Sequence, residues 1–173
     1  MNTLDFEMFD PVEAGEEWAV DFGSPHLVVE SIIDGRRLID IIHEIEAPQK
    51  AGEGGLDYGH TSPRRLYGDL VNARLNDGYF PNDVYLFVCY SCGEIGCNSV
   101  TCHVIEVGDY VFWTDFENRC DYGGLYFQFE KKQYDAAMEK LKWMAEHQDR
   151  PGYVRYADRM RYLPKGGTDD FRS

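Results

Sequence analysis

The sequence predicts an α+β fold, a single domain with a mostly antiparallel sheet and two main packing helices, and three patterns carry that expectation. Apolar residues recur at helical spacing over 36–46 and again over 131–147. Three apolar runs at 84–90, 100–107 and 110–116 follow one another closely enough to form a meander across 84–116. Neither an internal repeat nor a shift of composition marks a second domain, and 173 residues can bury a full core without disulfides.

Taken in order, residues 1–15 are rich in Asp and Glu and read as a loose acidic lead-in. A short strand is expected around Trp18–Phe22, before the turn Gly23-Ser24-Pro25. Leu27–Ile33 is β-branched and ends at Asp34-Gly35, which makes it a strand. Asp34 is placed to cap the next helix, on which Leu38, Ile41, Ile42 and Ile45 share a face until Pro48 stops the run. Residues 48–65 are glycine-rich, carry Pro48 and Pro63, and read as one long loop.

The second half is more regular. Val84–Tyr90 is an almost continuous apolar strand, the mark of a central position covered on both faces. After a Cys-Gly turn, Val100–Val107 and Tyr110–Phe116 are joined by a tight turn at Gly108-Asp109. A short strand follows at Leu125–Phe129. In the last helix Tyr134, Met138, Leu141, Met144 and Ala145 form the apolar face, with Glu139, Lys140 and Glu146 outward. Residues 150–173 form a basic tail expected to pack back onto an acidic body.

Charge is segregated. The chain has 31 acidic and 17 basic residues, a net charge of −14, yet residues 150–173 are basic while 1–149 hold all of the acidic excess. Such a body repels nucleic acid and membrane surfaces and speeds encounter with a basic protein. It also keeps a protein soluble, which is the plainer reading. There is no apolar run of membrane-spanning length, and the N-terminus lacks the basic-then-apolar pattern of a signal peptide, so a cytoplasmic protein is expected.

Four of the five cysteines, Cys89, Cys92, Cys97 and Cys102, fall within fourteen residues around Gly93 and Gly96. Three readings are open: packed thiols, a zinc site, or thiol redox chemistry. Zinc would draw on Cys89, Cys92 and Cys97, with Cys102 or His103 completing a tetrahedron. Adjacent strand residues point to opposite faces, so only one of that last pair can join. The gaps of two, four and four differ from paired two-residue knuckles, which favours packed thiols and no cofactor. Glu94 could serve as an acid or base beside the turn, but a solvated carboxylate is the simpler state. The histidines 26, 43, 60, 103 and 147 show no i, i+4 pair for metal, and the glycines no phosphate loop. Arg64-Arg65, near His60 and Tyr67, reads as a solvated loop pair, with anion binding as the alternative.

The elements Cys92-Gly93-Glu94-Ile95-Gly96-Cys97, Val111-Phe112-Trp113-Thr114-Asp115-Phe116, Tyr122–Ala137 and Asp34–Leu38 together resemble a group of uncharacterised bacterial proteins. The resemblance spans about residues 27–145, and this chain departs from the pattern at Tyr90, where a cysteine is usual. The resemblance implies a fold and a cytosolic location, with no activity attached. The function expected from the residues is therefore a non-enzymatic acidic binding protein, an immunity-type inhibitor of a basic toxin or other basic protein. A zinc- or thiol-dependent protein using the 89–102 turn is the alternative, as is a domain of another role.

Overall fold

A computed structural model of the chain describes residues 1–16, 19, 26–49, 58–75, 83–89, 99–149, 153–156 and 159–162. The fold is α+β. In chain order the described elements are β1 (Leu4–Phe9), β2 (Val28–Ile33), β3 (Arg36–Arg37), α1 (Leu38–Glu46), β4 (Tyr58–His60), α2 (Pro63–Leu75), β5 (Val84–Cys89), β6 (Val100–Val107), β7 (Tyr110–Glu117), β8 (Phe127–Glu130), α3 (Lys131–Glu146), β9 (Tyr153–Tyr156) and β10 (Arg159–Tyr162). Among them no helix is long and apolar enough to cross a membrane.

The expected meander is the centre of a five-stranded antiparallel sheet of order β4-β5-β6-β7-β8. A second antiparallel sheet has order β1-β2-β3. Isolated bridges join the two at both ends: Asn2 pairs with Phe129 of β8, and Val29 of β2 with Thr61 just past β4. The smaller sheet thus touches the larger one beside both of its edge strands, β4 and β8. β9 and β10 pair with each other.

One core runs through both sheets and all three helices, with Trp113 at its centre. The Trp113 ring meets Phe129 edge-on at a centroid distance of 5.5 Å, and its Nε1 donates to Tyr134 Oη at 3.2 Å. Burial of an indole needs such a partner for its N–H. Tyr134, Met138, Leu141, Met144 and Ala145 are buried as the helical spacing predicts. At the helix junction Arg74 pairs with Glu106 at 2.8 Å and with Asp135 at 2.7 Å, tying α2, β6 and α3 together, and Lys131 joins them at Glu106.

Three expectations are corrected, and a fourth falls almost wholly outside the described residues. The segment expected as a loose lead-in contains β1, because Leu4 and Phe6 alternate with Asp5 and Glu7 and bury one face. Its outer edge is closed by one side chain: Gln133 Nε2 donates to Leu4 O at 2.6 Å and Gln133 Oε1 accepts from Leu4 N–H at 3.1 Å. Asp34 caps no helix. With Gly35 it forms the turn from β2 to β3, both at positive φ, and its carboxylate accepts from Thr3 N–H at 2.7 Å and Asn2 Nδ2 at 2.6 Å. Residue 37 occupies the N-cap position of α1. The 48–65 segment is not one loop, since β4 and the first turn of α2 lie inside it. Arg64 and Arg65 therefore sit on a helix. Of the strand expected at 18–22 the structure describes Ala19 alone, buried against Val28.

If β1 is structural, Phe6→Ala should lower unfolding stability by about 3–5 kcal/mol, as deletion of a buried aromatic does. Urea denaturation followed by tryptophan fluorescence measures this. A loose lead-in would lose nothing.

Candidate functional site

The described histidines and carboxylates gather in three places, and two of them are interior. On β4, His60 is buried between two buried carboxylates: its Nδ1 bonds Glu16 Oε1, and its Nε2 lies 3.1 Å from Glu30 Oε1. Glu30 also accepts from Arg37 Nε at 3.1 Å. Burial disfavours the imidazolium, but the hydrogen bonds to Glu16 and Glu30 outweigh it and raise the His60 pKa from 6.5 to about 9. Two residues earlier on the same strand, Tyr58 donates to Glu46, which is fully buried and also accepts from Tyr122 Oη at 3.2 Å. Burial and the adjacent carboxylate push both phenols up. Neither cluster is open to a substrate, so both are framework.

The third place is at the surface and arises from a bulge. β6 and β7 pair Thr101 with Glu117 but His103 with Thr114, so β7 carries one extra residue there. Asp115 takes it up at φ 52, in the left-handed region that Asp enters more readily than most side chains. Burial in β7 accordingly runs Val111, Trp113 and then Phe116, which turns both Asp115 and Glu117 outward. Asp115 Oδ2 accepts from Thr114 Oγ1 at 3.1 Å and lies 3.3 Å from His103 Nδ1, whose Nε2 faces Asp83 Oδ1 at 3.1 Å.

Asp115 and Glu117 from the end of β7 and Asp121 and Tyr126 from the 121–126 turn line a groove of about 450 Å³ between these two segments, with Tyr126 59% exposed. Among the described residues no basic side chain lines the groove. The turn is latched from behind: Gln49 exchanges hydrogen bonds with Asp121 N–H and C=O at 2.8 and 2.7 Å, Asp121 Oδ1 accepts from Gly123 N–H at 2.8 Å, and Tyr122 is held by Glu46. The groove is preformed, rigid and acidic.

For the cysteines, the structure places Cys102 in the core, fully buried, where burial pushes its thiol well above its ordinary pKa. His103 faces the other side of β6, as strand alternation requires. Cys92, Cys97 and Glu94, and the side chain of Cys89, lie outside the described residues. Among the described residues no group of three or more His, Cys, Asp or Glu is arranged to hold a metal. The groove carboxylates escaped sequence reading, although the gap of three between Trp113 and Phe116, where a regular strand has two, is the bulge written in the sequence. No protein-family model, curated protein or solved structure matches the chain.

Two outcomes follow from these geometries. With the folded His60 pKa raised, its contribution to stability is complete below about 6.5, declines as pH rises, and is gone above about 9. Melting temperature against pH should therefore fall across that window, and His60→Gln, which leaves buried carboxylates facing each other, should cost about 3–5 kcal/mol and remove the decline. Cys102 should resist alkylation in the native protein and react once unfolded, a difference that peptide mass spectrometry after iodoacetamide treatment resolves.

Proposed function

We propose that the chain is a non-enzymatic acidic binding protein that docks a basic protein partner in the groove formed by Asp115, Glu117, Asp121 and Tyr126, acting as an immunity-type inhibitor in the cytoplasm. The observation that carries the reading is the groove itself: three carboxylates and an exposed tyrosine, with no lining cation among the described residues, on a turn held by Gln49 and Glu46. A preformed groove loses little entropy on binding, and an exposed aromatic beside it is the usual anchor of a tight interface. The excess of acidic residues over 1–149 supplies the long-range field that steers a cationic partner, and nucleic acid is disfavoured by the same field.

Recognition of this kind reads a Lys or Arg side chain of the partner inserted between Glu117 and Asp121, neither of which holds a cation within ion-pair distance among the described residues. Asp115, shared with His103 and Thr114, sets the groove's shape more than its affinity.

The test uses a triple variant, Asp115→Asn, Glu117→Gln and Asp121→Asn, in which asparagine keeps the left-handed position tolerable. The wild-type chain, immobilised at low salt, should retain a basic protein encoded beside it and inhibit that protein's activity. Its association rate should exceed the ~10⁵–10⁷ M⁻¹s⁻¹ of unsteered docking and fall steeply with added salt. The triple variant, with unchanged melting temperature, should lose both retention and inhibition. Equal behaviour of the two proteins, or no basic neighbour to bind, would sink the reading.

A further inference from the structure

A second cavity, of about 500 Å³, lies on another part of the molecule between α2 and the segment that follows α3. Arg64, Arg65, Gly68, Asp69 and Asn72, from one face of α2, form one wall. His26 and Gln148-Asp149 form the other, fixed to each other by the His26–Asp149 bridge and by Leu27 N–H donating to Gln148 O at 2.7 Å. The volume falls within the ordinary range for small-molecule sites.

The charges in this cavity are unusual for the chain. Carboxylates are in large excess: Arg36 and Arg37 each hold one, and Arg74 holds two. Arg64 and Arg65 hold none within ion-pair distance among the described residues. Each is instead held by a neutral group: Arg64 Nη2 donates to Ala145 O at 3.3 Å, and the Arg65 guanidinium sits 5.7 Å from the centre of the Tyr85 ring. Both cations thus reach the cavity with no direct ion pair among the described residues, Arg65 acting on Asp69 only at longer range. The first backbone donors of α2 are spent, on Gln148 Oε1 for Arg64 and on Ser62 Oγ for Arg65, so the guanidinium forks are what an anion would meet.

Gly68 is the second, independent observation. It lies inside α2 with ordinary helical φ, and a Cβ placed there would meet nothing within 4 Å. Packing does not require glycine at this position, and glycine within a helix is destabilising relative to alanine. What its missing side chain does is keep the cavity open. One turn further along the same helix face, Asp69 spends one oxygen on Tyr85 N–H at 3.2 Å and, with Asp149 from the other wall, presents acceptors to the same space.

We propose that this cavity binds a small molecule bearing an oxyanion, phosphate or carboxylate, which Arg64 and Arg65 clamp, and a hydrogen-bond donor, ammonium or hydroxyl, which Asp69 and Asp149 accept. The site is separate from the docking groove and does not rest on that reading. A bare multiply charged anion is disfavoured by the two aspartates, and a bare cation by the two arginines. The pairing selects a ligand with both ends.

The experiment titrates isotope-labelled full-length protein with inorganic phosphate, phosphoethanolamine and glycine, following amide resonances of residues 62–72. Saturable shifts are expected with phosphoethanolamine or glycine, at least about tenfold tighter than with inorganic phosphate, which is about 1.4 kcal/mol. The tighter of those two identifies the oxyanion as phosphate or carboxylate. Arg64→Ala and Arg65→Ala should each weaken binding at least about tenfold. Gly68→Leu should abolish it while leaving the melting temperature unchanged or higher, which separates loss of the site from loss of the fold. No saturable shift with any probe, or wild-type binding by Gly68→Leu, would overturn the proposal. Equal affinity for inorganic phosphate and phosphoethanolamine would overturn its donor half.

Discussion

Among the described residues three carboxylates, Glu16, Glu30 and Glu46, are buried, and the need to satisfy them organises the packing around β4. An unpaired buried carboxylate is costly enough to be avoided or neutralised, so each must find donors inside the fold. The three-residue strand Tyr58–His60 supplies them, with Tyr58 at Glu46 and His60 at Glu16 and Glu30. Those bonds draw the end of α1, the strand β2 and the segment after β1 onto one edge of the large sheet. Phe9 and Phe87 then cover the His60 ring, each edge-on, at centroid distances of 4.8 and 5.4 Å, which excludes water from the ion pairs. Charge pairing in such a dry place is strong, and breaking it strands a charge.

That anchoring reaches the surface groove. Glu46 holds Tyr122 and, three residues beyond it, Gln49 holds Asp121, so the turn opposite β7 is fastened to the same buried centre. The facing wall is shaped by the bulge at Asp115, which bends β7 and exposes two acidic side chains in place of one. A rigid acidic surface results from an interior hydrogen-bond network and one extra residue in a strand. Its charge comes from composition, but its shape does not.

The two surface features differ in how they use charge. In the groove, carboxylates cluster without cations and the local field adds to that of the whole body. In the cavity beside α2, Arg64 and Arg65 make neutral contacts and share the space with Asp69 and Asp149, so both signs of charge meet there. Local structure of this kind cannot come from net charge. It needs helix α2 to turn Arg64, Arg65, Gly68 and Asp69 toward one wall and the segment after α3 to bring Asp149 to the other.

The sequence by itself determined the meander at 84–116, β2, and the helices near 36–46 and 131–147, because period-two and period-3.6 burial are local patterns that residues such as Val111, Trp113, Tyr134 and Leu141 state directly. It also determined the acidic excess and the turn at Asp34-Gly35, though not what Asp34 does there. The tertiary structure decided the rest. β1 was hidden because its acidic residues are the outward half of a short alternation, and α2 because its apolar positions, Leu66, Leu70 and Ala73, are few and follow a glycine-rich run. Nothing local marks Glu30 and Glu46 as buried, because His60, Tyr58 and Tyr122, which pair with them, come from other parts of the chain. Partners so far apart along the chain leave no periodic trace, since what pairs them is the contact of the smaller sheet with the larger one beside both of its edge strands.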